Sequence, residues 1–136
     1  MKEELEKLLE NAYAPISNFK AASIVVTKDD RKFYGVNVED ASTRAGTCAE
    51  RNALFQAISN GYSKGDFKEI NVMTSSKRIG TPCFVCRQLI SELMDKDSII
   101  RCYNTRGEYK EFTVSELCPF PFEEEDLLWN VDLLVL

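Results

Sequence analysis

The spacing of apolar and polar residues changes several times along the chain, and each change predicts a different element. Over residues 2–13 the apolar positions recur at helical spacing, which predicts an amphipathic helix. Pro15 disfavours helical backbone at the residue before it, so this helix is expected to end by then. Over residues 21–27 β-branched residues predominate, which is typical of a buried strand.

The rest of the chain alternates between these two patterns. The predicted strands are residues 21–27, 32–39, 68–74, 99–104 and 108–114, and the predicted helices are residues 2–13, 48–60 and 83–94, with a short helical turn at 115–118. Strands that alternate with helices favour a three-layer α/β/α architecture around a five-stranded mixed sheet, in a single domain over residues 1–136. The apolar residues 127–136 are expected to dock on this chain or on a neighbouring subunit.

Composition narrows the class of protein. The 136 residues are 44% hydrophobic and 29% charged, as in an ordinary soluble domain with one core. The net charge of −5 argues against nucleic acid or an anionic membrane surface as the main partner. Because we find neither a secretion signal nor an apolar run of membrane-spanning length, we expect a cytoplasmic location.

The chain contains five cysteines and no histidine. The lack of histidine removes the usual general base and the commonest metal ligand, so a metal would have to be bound by thiolate or oxygen. In a cytoplasmic protein, an odd number of cysteines favours metal ligands or buried thiols over disulfides.

Two cysteine motifs lie where a predicted loop leads into a helix: Thr47-Cys48-Ala49-Glu50-Arg51 and Pro82-Cys83-Phe84-Val85-Cys86. The free N–H groups of a helix start lower the pKa of a thiol and favour its thiolate. Three thiolates suit Zn²⁺ and leave its fourth position open. We expect Glu50 beside that position, where it can move protons to and from a bound water, and Arg51 against a ligand sulfur.

Other interpretations of these residues remain open. A purely structural zinc site would need a fourth ligand, for which Cys102 and Cys118 are the candidates. Both lie on or next to apolar segments, where a lone cysteine is usually a small core residue. Strand alternation puts Asn37 and Glu39 on one side of the second strand, where they form either a binding edge or merely a polar strand end.

These motifs resemble those of the zinc-dependent cytidine deaminase family, in its small three-cysteine form. The resemblance rests on Cys48-Ala49-Glu50-Arg51 and on Pro82-Cys83-x-x-Cys86-Arg87-Gln88. It extends over most of the chain through three further stretches: Pro15-Ile16-Ser17-Asn18-Phe19, Asn37-Val38-Glu39-Asp40-Ala41-Ser42 and Pro119-Phe120-Pro121-Phe122.

The resemblance implies a cytidine deaminase-like fold, a Zn²⁺ cofactor bound by Cys48, Cys83 and Cys86, and hydrolysis of cytidine or deoxycytidine to its uracil counterpart, with release of ammonia, in pyrimidine salvage. Glu50 would be the catalytic residue and would protonate N3 of the base. The implied substrate-binding residues are Asn37 and Glu39 at the ribose, Phe19 and Phe122 at the base, and Ala49 together with the backbone near Thr81. The resemblance also implies a homotetramer with shared active sites, in which Phe122 comes from a neighbouring subunit.

The chain departs from the family pattern at the rim of the expected site. Phe84 replaces a glycine and would be strained if that position required positive φ. Thr43 and Ile16 replace tyrosines. Arg44 is either a solvated loop residue, the favoured interpretation, or a cation that meets a phosphate or a carboxylate. Two other functions therefore remain open: a deaminase of a cytosine-containing antibiotic of the blasticidin-S type, and a non-catalytic zinc-binding assembly module.

Overall fold

The computed structural model of the chain describes residues 1–127. The elements are, in chain order, α1 (Lys2–Leu9), β1 (Ala21–Thr27), β2 (Lys32–Val36), α2 (Ala49–Ser59), β3 (Phe67–Thr74), α3 (Phe84–Leu93), β4 (Ile99–Tyr103), β5 (Tyr109–Thr113) and α4 (Val114–Leu117). The strands form one five-stranded sheet in the order β2-β1-β3-β4-β5. Neighbouring strands are antiparallel except β3 and β4, which are parallel. The predicted mixed sheet is confirmed.

Helices cover both faces of the sheet, as predicted. On one face α1 packs through a small apolar cluster, which comprises Leu5, Ala22, Ile24, Met73 and Tyr103. On the other face α2 and α3 cover a larger cluster, whose members include Val25, Leu54, Ile70, Ile90 and Ile100. Along β1 and β4 alternate residues belong to opposite clusters, because successive side chains of a strand point to opposite faces.

Two elements end more than two residues earlier than predicted, and both differences have one cause. The first helix ends at Leu9 rather than near Tyr13, and β2 ends at Val36 rather than Glu39. Tyr13 leaves the helix because its backbone exchanges hydrogen bonds with residues 37 and 39. The chain segment after β2 therefore pairs with Tyr13 on one side and with Thr47 on the other, through isolated bridges at Val38. These pairings are tertiary and leave no local sequence pattern.

Helix α2 approaches the edge strand β2 so closely that only glycine fits between them. A Cβ atom at Gly35 would lie 2.4 Å from Ala49 O and 2.4 Å from Ala53 N. Both contacts are to backbone atoms, so they can be relieved only if the helix or the strand moves. Gly35 therefore sets the position of the first turn of α2, which begins next to Cys48.

None of the helices within residues 1–127 is long and apolar enough to cross a membrane. The predicted docking of the C-terminal tail concerns residues that lie, apart from Leu127, outside the described part of the chain.

Candidate active site

Three cysteine side chains meet where α2 and α3 begin. Cys48 and Cys83 are the N-cap residues of the two helices, both with extended backbone, and Cys86 lies in the first turn of α3. Cys83 Sγ lies 3.8 Å from Cys48 Sγ and 3.6 Å from Cys86 Sγ, and all three sulfurs lie within 4.8 Å of one another. A tetrahedral zinc with Zn–S bonds of about 2.3 Å separates its sulfurs by about 3.8 Å. The three thiols therefore fit a Zn²⁺ ion.

The other two cysteines do not belong to this cluster. Cys102 is buried in β4, where burial raises the pKa of its thiol to about 12. Cys118 is partly buried and donates to the backbone oxygen of Arg87, at 3.6 Å. Among residues 1–127 the metal-binding cluster thus comprises three thiols and lacks the fourth that a closed structural site would need.

The thiols do not ionise alike. Contact with the Cys86 thiol and a hydrogen bond from Arg51 lower the pKa of Cys48 to about 5, although burial opposes both. The contact with Cys48 and burial raise the pKa of Cys86. Arg51 Nη2 donates to Cys48 Sγ at 3.6 Å. Without a metal Cys48 therefore ionises before Cys86, and the Arg51 guanidinium lies against that thiolate.

Glu50 lies beside this cluster and is almost fully buried, with 6% of its surface exposed. The Cys86 thiol lies 3.8 Å from Glu50 Oε2 and donates to it. Burial raises the pKa of the Glu50 carboxyl, because the charged form is disfavoured away from water. The site thus contains a carboxyl group that holds its proton more strongly than an exposed glutamate does.

A cavity of about 450 Å³ opens in front of the cluster. This volume is within the range of small-molecule sites. The predicted site residues on its wall are Phe19, Asn37, Glu39, Cys48, Glu50, Arg51, Thr81 and Cys83. Val72 and Thr74 also line it and were missed by the sequence analysis. Their alternation on β3 is the signal that could have found them, because it places both on the sheet face covered by α2 and α3.

Asn37 and Glu39 both bind the loop that carries Phe19. Asn37 Oδ1 accepts a hydrogen bond from Ala21 N at 2.8 Å, and Asn37 Nδ2 donates to Phe19 O at 2.7 Å. The Glu39 carboxylate accepts three hydrogen bonds from residues 16–17, which lower its pKa. A ligand hydroxyl that binds Glu39 must therefore share the carboxylate with the donors of this loop, or displace one of them.

Two predicted substrate-binding residues lie away from the cavity wall. Ala49 is fully buried behind the wall, so its side chain is shielded from a ligand in the cavity. Phe122 lines a separate surface cleft, together with Ser91 and Glu92 of α3 and the acidic residues 123–125. Its backbone oxygen accepts a hydrogen bond from Gln88 at 2.8 Å. The structure of one chain therefore leaves Phe122 apart from its own cavity.

The residues that depart from the family pattern have distinct surroundings. Phe84 is the first residue of α3 and does not have positive φ, so the condition under which it would be strained is not met. Phe84 is 77% exposed, and the centroid of its ring lies 4.4 Å from the central carbon of the Arg87 guanidinium. Thr43, at φ 60°, and Ile16 line the cavity, whereas Arg44 is an exposed loop residue outside the lining.

Comparison with known proteins agrees with this geometry. The family model described as the cytidine and deoxycytidylate deaminase zinc-binding region matches residues 1–102. A cytidine deaminase from Halalkalibacterium halodurans is 41% identical over 118 residues, which is 87% of this chain and 88% of the relative. A cytidine deaminase from Sporosarcina psychrophila is 34% identical over 95% of this chain and 93% of its own.

The crystal structure of cytidine deaminase from Burkholderia pseudomallei has a TM-score of 0.84 to this chain at 38% identity, and covers 88% of this chain and 94% of that one. The chain therefore belongs to the cytidine and deoxycytidylate deaminase family, as its motifs predict.

Proposed function

We propose that this protein is a zinc-dependent hydrolase that converts cytidine or deoxycytidine to uridine or deoxyuridine and releases ammonia, as a step of pyrimidine salvage. The observation that carries this proposal is a buried carboxyl, Glu50, at the junction of a three-thiol cluster and a cavity of about 450 Å³. The relatives named cytidine deaminase support it, because they match this chain over most of both lengths.

Cys48, Cys83 and Cys86 would hold the zinc ion. When bound, zinc supplies a Lewis acid that lowers the pKa of water from its bulk value to roughly 7. Three thiolates surround the metal with negative charge, which opposes that effect. Arg51 counteracts it, because its guanidinium donates to Cys48 Sγ and withdraws charge from that ligand.

Glu50 would be the proton carrier of the reaction. Its carboxylate would accept a proton from the attacking water and deliver it to N3 of the base. It would then take the proton of the hydroxyl added at C4 and pass it to the amino group, which leaves as ammonia while the C4 carbonyl forms. The raised pKa of the buried carboxyl suits this task, because a proton carrier works best when its pKa lies near the working pH.

The cavity wall would hold the nucleoside. Glu39 would accept a hydrogen bond from a ribose hydroxyl beside Asn37, and Phe19 would lie along the base. The backbone near Thr81 would accept from the amino group of the base. Phe122 would approach the base from a neighbouring subunit of a cytoplasmic homotetramer. This assembly is supported by two observations. Phe122 is not part of the lining of its own cavity, and α2 and α3 expose apolar side chains, namely Phe55, Ile58, Phe84 and Val85.

One assay distinguishes this function from its alternatives. The loss of ultraviolet absorbance on deamination is followed for zinc-loaded protein with cytidine, deoxycytidine and a blasticidin-type antibiotic side by side. We expect turnover of the nucleosides and none of the antibiotic. The reverse result would assign the antibiotic, and no turnover of any of the three would indicate a non-catalytic zinc module.

A further inference from the structure

Arg87, in the first turn of α3, joins two segments that are distant in sequence. Its Nε donates to Pro82 O at 2.7 Å and its Nη2 to Thr81 Oγ1 at 2.7 Å. Its Nη1 donates to Leu117 O, the last residue of α4, at 2.9 Å. The Phe84 ring covers the face of the guanidinium at 4.4 Å. All three guanidinium nitrogens are thus used, and two of them bind the loop that precedes α3.

Apart from these bonds the loop is held mainly by apolar contacts, since Ile79 packs against the core beneath α2 and α3 and Pro82 is buried. Residues 75–78 bind other parts of the chain through backbone hydrogen bonds, for example Ser75 N to Lys20 O and Thr105 N to Ser76 O. For residues 79–82, the hydrogen bonds within the described part of the chain are the two from Arg87. This short segment leads directly into Cys83 and also provides Gly80 and Thr81 to the cavity wall.

Among the three thiols, Cys83 depends most on this loop. Cys86 is buried within α3, and Cys48 is half-buried at the start of α2, whereas Cys83 is exposed. Cys83 is the N-cap of α3, so its backbone N–H lies outside the hydrogen bonding of the helix. On the helix side its carbonyl oxygen accepts from Arg87 N at 2.9 Å, and on the other side its position depends on the loop.

We propose that Arg87 is a positioning residue that clamps residues 79–83 against α4, and thereby keeps Cys83 at metal-binding distance and the Thr81 side of the cavity in place. The planar guanidinium of an arginine can donate to these three acceptors at once. A lysine ammonium is a single charged group on a flexible stem and cannot bind all three together. Phe84, which replaces a glycine of the family pattern, contacts this clamp rather than the cavity lining.

The test measures zinc release without substrate. Arg87→Met and Arg87→Lys are loaded with zinc, and transfer to a colorimetric chelator is followed while circular dichroism monitors the fold and Tm. The matched control is Arg101→Met. Arg101 is also partly buried and multiply bonded, to Glu69 and Glu111, but it lies on the opposite face of the sheet from α3.

Loss of groups that orient metal ligands typically weakens metal binding by about 10- to 100-fold. We therefore expect both Arg87 variants to release zinc about 10- to 100-fold faster, with Lys closer to Met than to the wild type. We expect Arg101→Met to release zinc at the wild-type rate even if its Tm is lower. In zinc-saturated buffer, KM for cytidine should rise in the Arg87 variants because Gly80 and Thr81 line the cavity.

Wild-type release from Arg87→Met would overturn the proposal, and so would equal acceleration in Arg101→Met, which would indicate general destabilisation. If Arg87→Met does not fold, Arg87→Lys decides between the same two outcomes. The inference rests on the proposed zinc site, but zinc release is measured without turnover. Its failure is therefore distinguishable from a failure of the proposed deaminase activity.

Discussion

At the scale of single residues, the site places an acid on the cavity wall with almost all of its surface withdrawn from solvent. Glu50 lies beside three thiols, and burial shifts its pKa upward because the charged form loses hydration. A chain without histidine lacks the side chain that usually exchanges protons near neutral pH. Burying a carboxyl is a physical route to a similar proton carrier.

The first prediction concerns this carboxyl. Glu50→Gln keeps the shape of the side chain but removes its ability to exchange a proton, so kcat should fall by about 10²- to 10⁴-fold while zinc content stays stoichiometric. Turnover is measured by ultraviolet absorbance and zinc by atomic absorption. Glu111→Gln, at an exposed position of β5, should change neither and serves as the control. A fully active Glu50→Gln protein would contradict the proposed mechanism.

The second prediction concerns the metal ligands. Cys83→Ala should no longer bind zinc stoichiometrically, because only two of the three protein ligands remain. Cys118→Ala should retain zinc, since that thiol contacts the backbone oxygen of Arg87 and is not in the cluster. Metal analysis after gel filtration compares the two. Stoichiometric zinc in Cys83→Ala would disprove the ligand assignment.

At the scale of elements, the site depends on how α2 and α3 are held at their first turns. Both begin with a cysteine in extended backbone, which the motif spacing predicts to within one residue. Two contacts outside the helices then determine their placement. Gly35 lets α2 approach β2, and α4 provides the oxygen at Leu117 that binds Arg87.

We therefore expect Gly35→Ala to move the first turn of α2. Its Cβ would overlap backbone atoms, which by analogy with overpacked cores destabilises the fold by about 1–3 kcal/mol. Activity should fall as well, because the displaced turn carries Cys48 and Glu50. Urea unfolding of Gly80→Ala is the control for stability, since a Cβ there meets its nearest atom at 3.9 Å. Equal stability of the two variants would show that α2 does not need this close approach.

A further prediction concerns the start of α4, which has a capping box. Thr113 Oγ1 accepts from Glu116 N, and the Glu116 carboxylate accepts from Thr113 N and from its hydroxyl. These bonds, the backbone one first, lower the pKa of Glu116 below 4.5. A carboxyl whose pKa is lower in the folded than in the unfolded protein stabilises the fold at pH values above its unfolded-state pKa. That stabilisation is lost as the pH falls through the folded-state pKa.

Glu116→Gln should accordingly be less stable than the wild type at pH 7, and the difference should shrink as the pH is lowered below 4.5. Urea unfolding at several pH values measures it. A difference that stays constant over that range would show that the charge of Glu116 does not contribute.

At the scale of the whole molecule, one copy of the chain does not bring all the predicted site residues together. Phe122 lies near residues 123–125 and away from the cavity, although the same segment is tied to α3 through Gln88. Exposed Phe and Ile side chains on α2 and α3 are suited to burial between subunits. We expect assembly to place Phe122 of one subunit at the cavity of another.

Complementation tests this expectation. Glu50→Gln lacks the proton carrier in its own cavity, and Phe122→Ala lacks the aromatic group that it would contribute to a neighbour. When the two inactive or impaired variants are co-expressed, mixed oligomers should regain activity, because some cavities combine a native Glu50 with a partner's native Phe122. Sedimentation should show one tetrameric species for each protein.

The control is a mixture of Glu50→Gln and Cys83→Ala. Both changes damage the cavity of the chain that carries them, so mixed oligomers contain no intact cavity and should stay inactive. If the Glu50→Gln and Phe122→Ala mixture also stays inactive, or if Phe122→Ala is fully active by itself, the shared site is wrong.

The sequence by itself determined the elements, the three thiols and the family. Apolar periodicity reports which face of a segment is buried, so it predicted all five strands and the three longer helices. The spacing of Cys48, Glu50, Cys83 and Cys86 predicted the three-thiol cluster and an acid beside it, because each pair lies within a few residues at a helix start. These are local properties, and local sequence carries them.

The tertiary structure alone decided strand order, the early ends of α1 and β2, and the partners of the polar side chains. Tyr13 pairs with the chain beyond β2, Glu39 binds residues 16–17, and Arg87 binds the loop at 81–82 and also Leu117. Most of these contacts join segments that are distant in sequence, and side-chain type does not reveal which acceptor a donor will meet. The three thiols could therefore be found from the sequence, whereas the clamp on the loop before Cys83 required the fold.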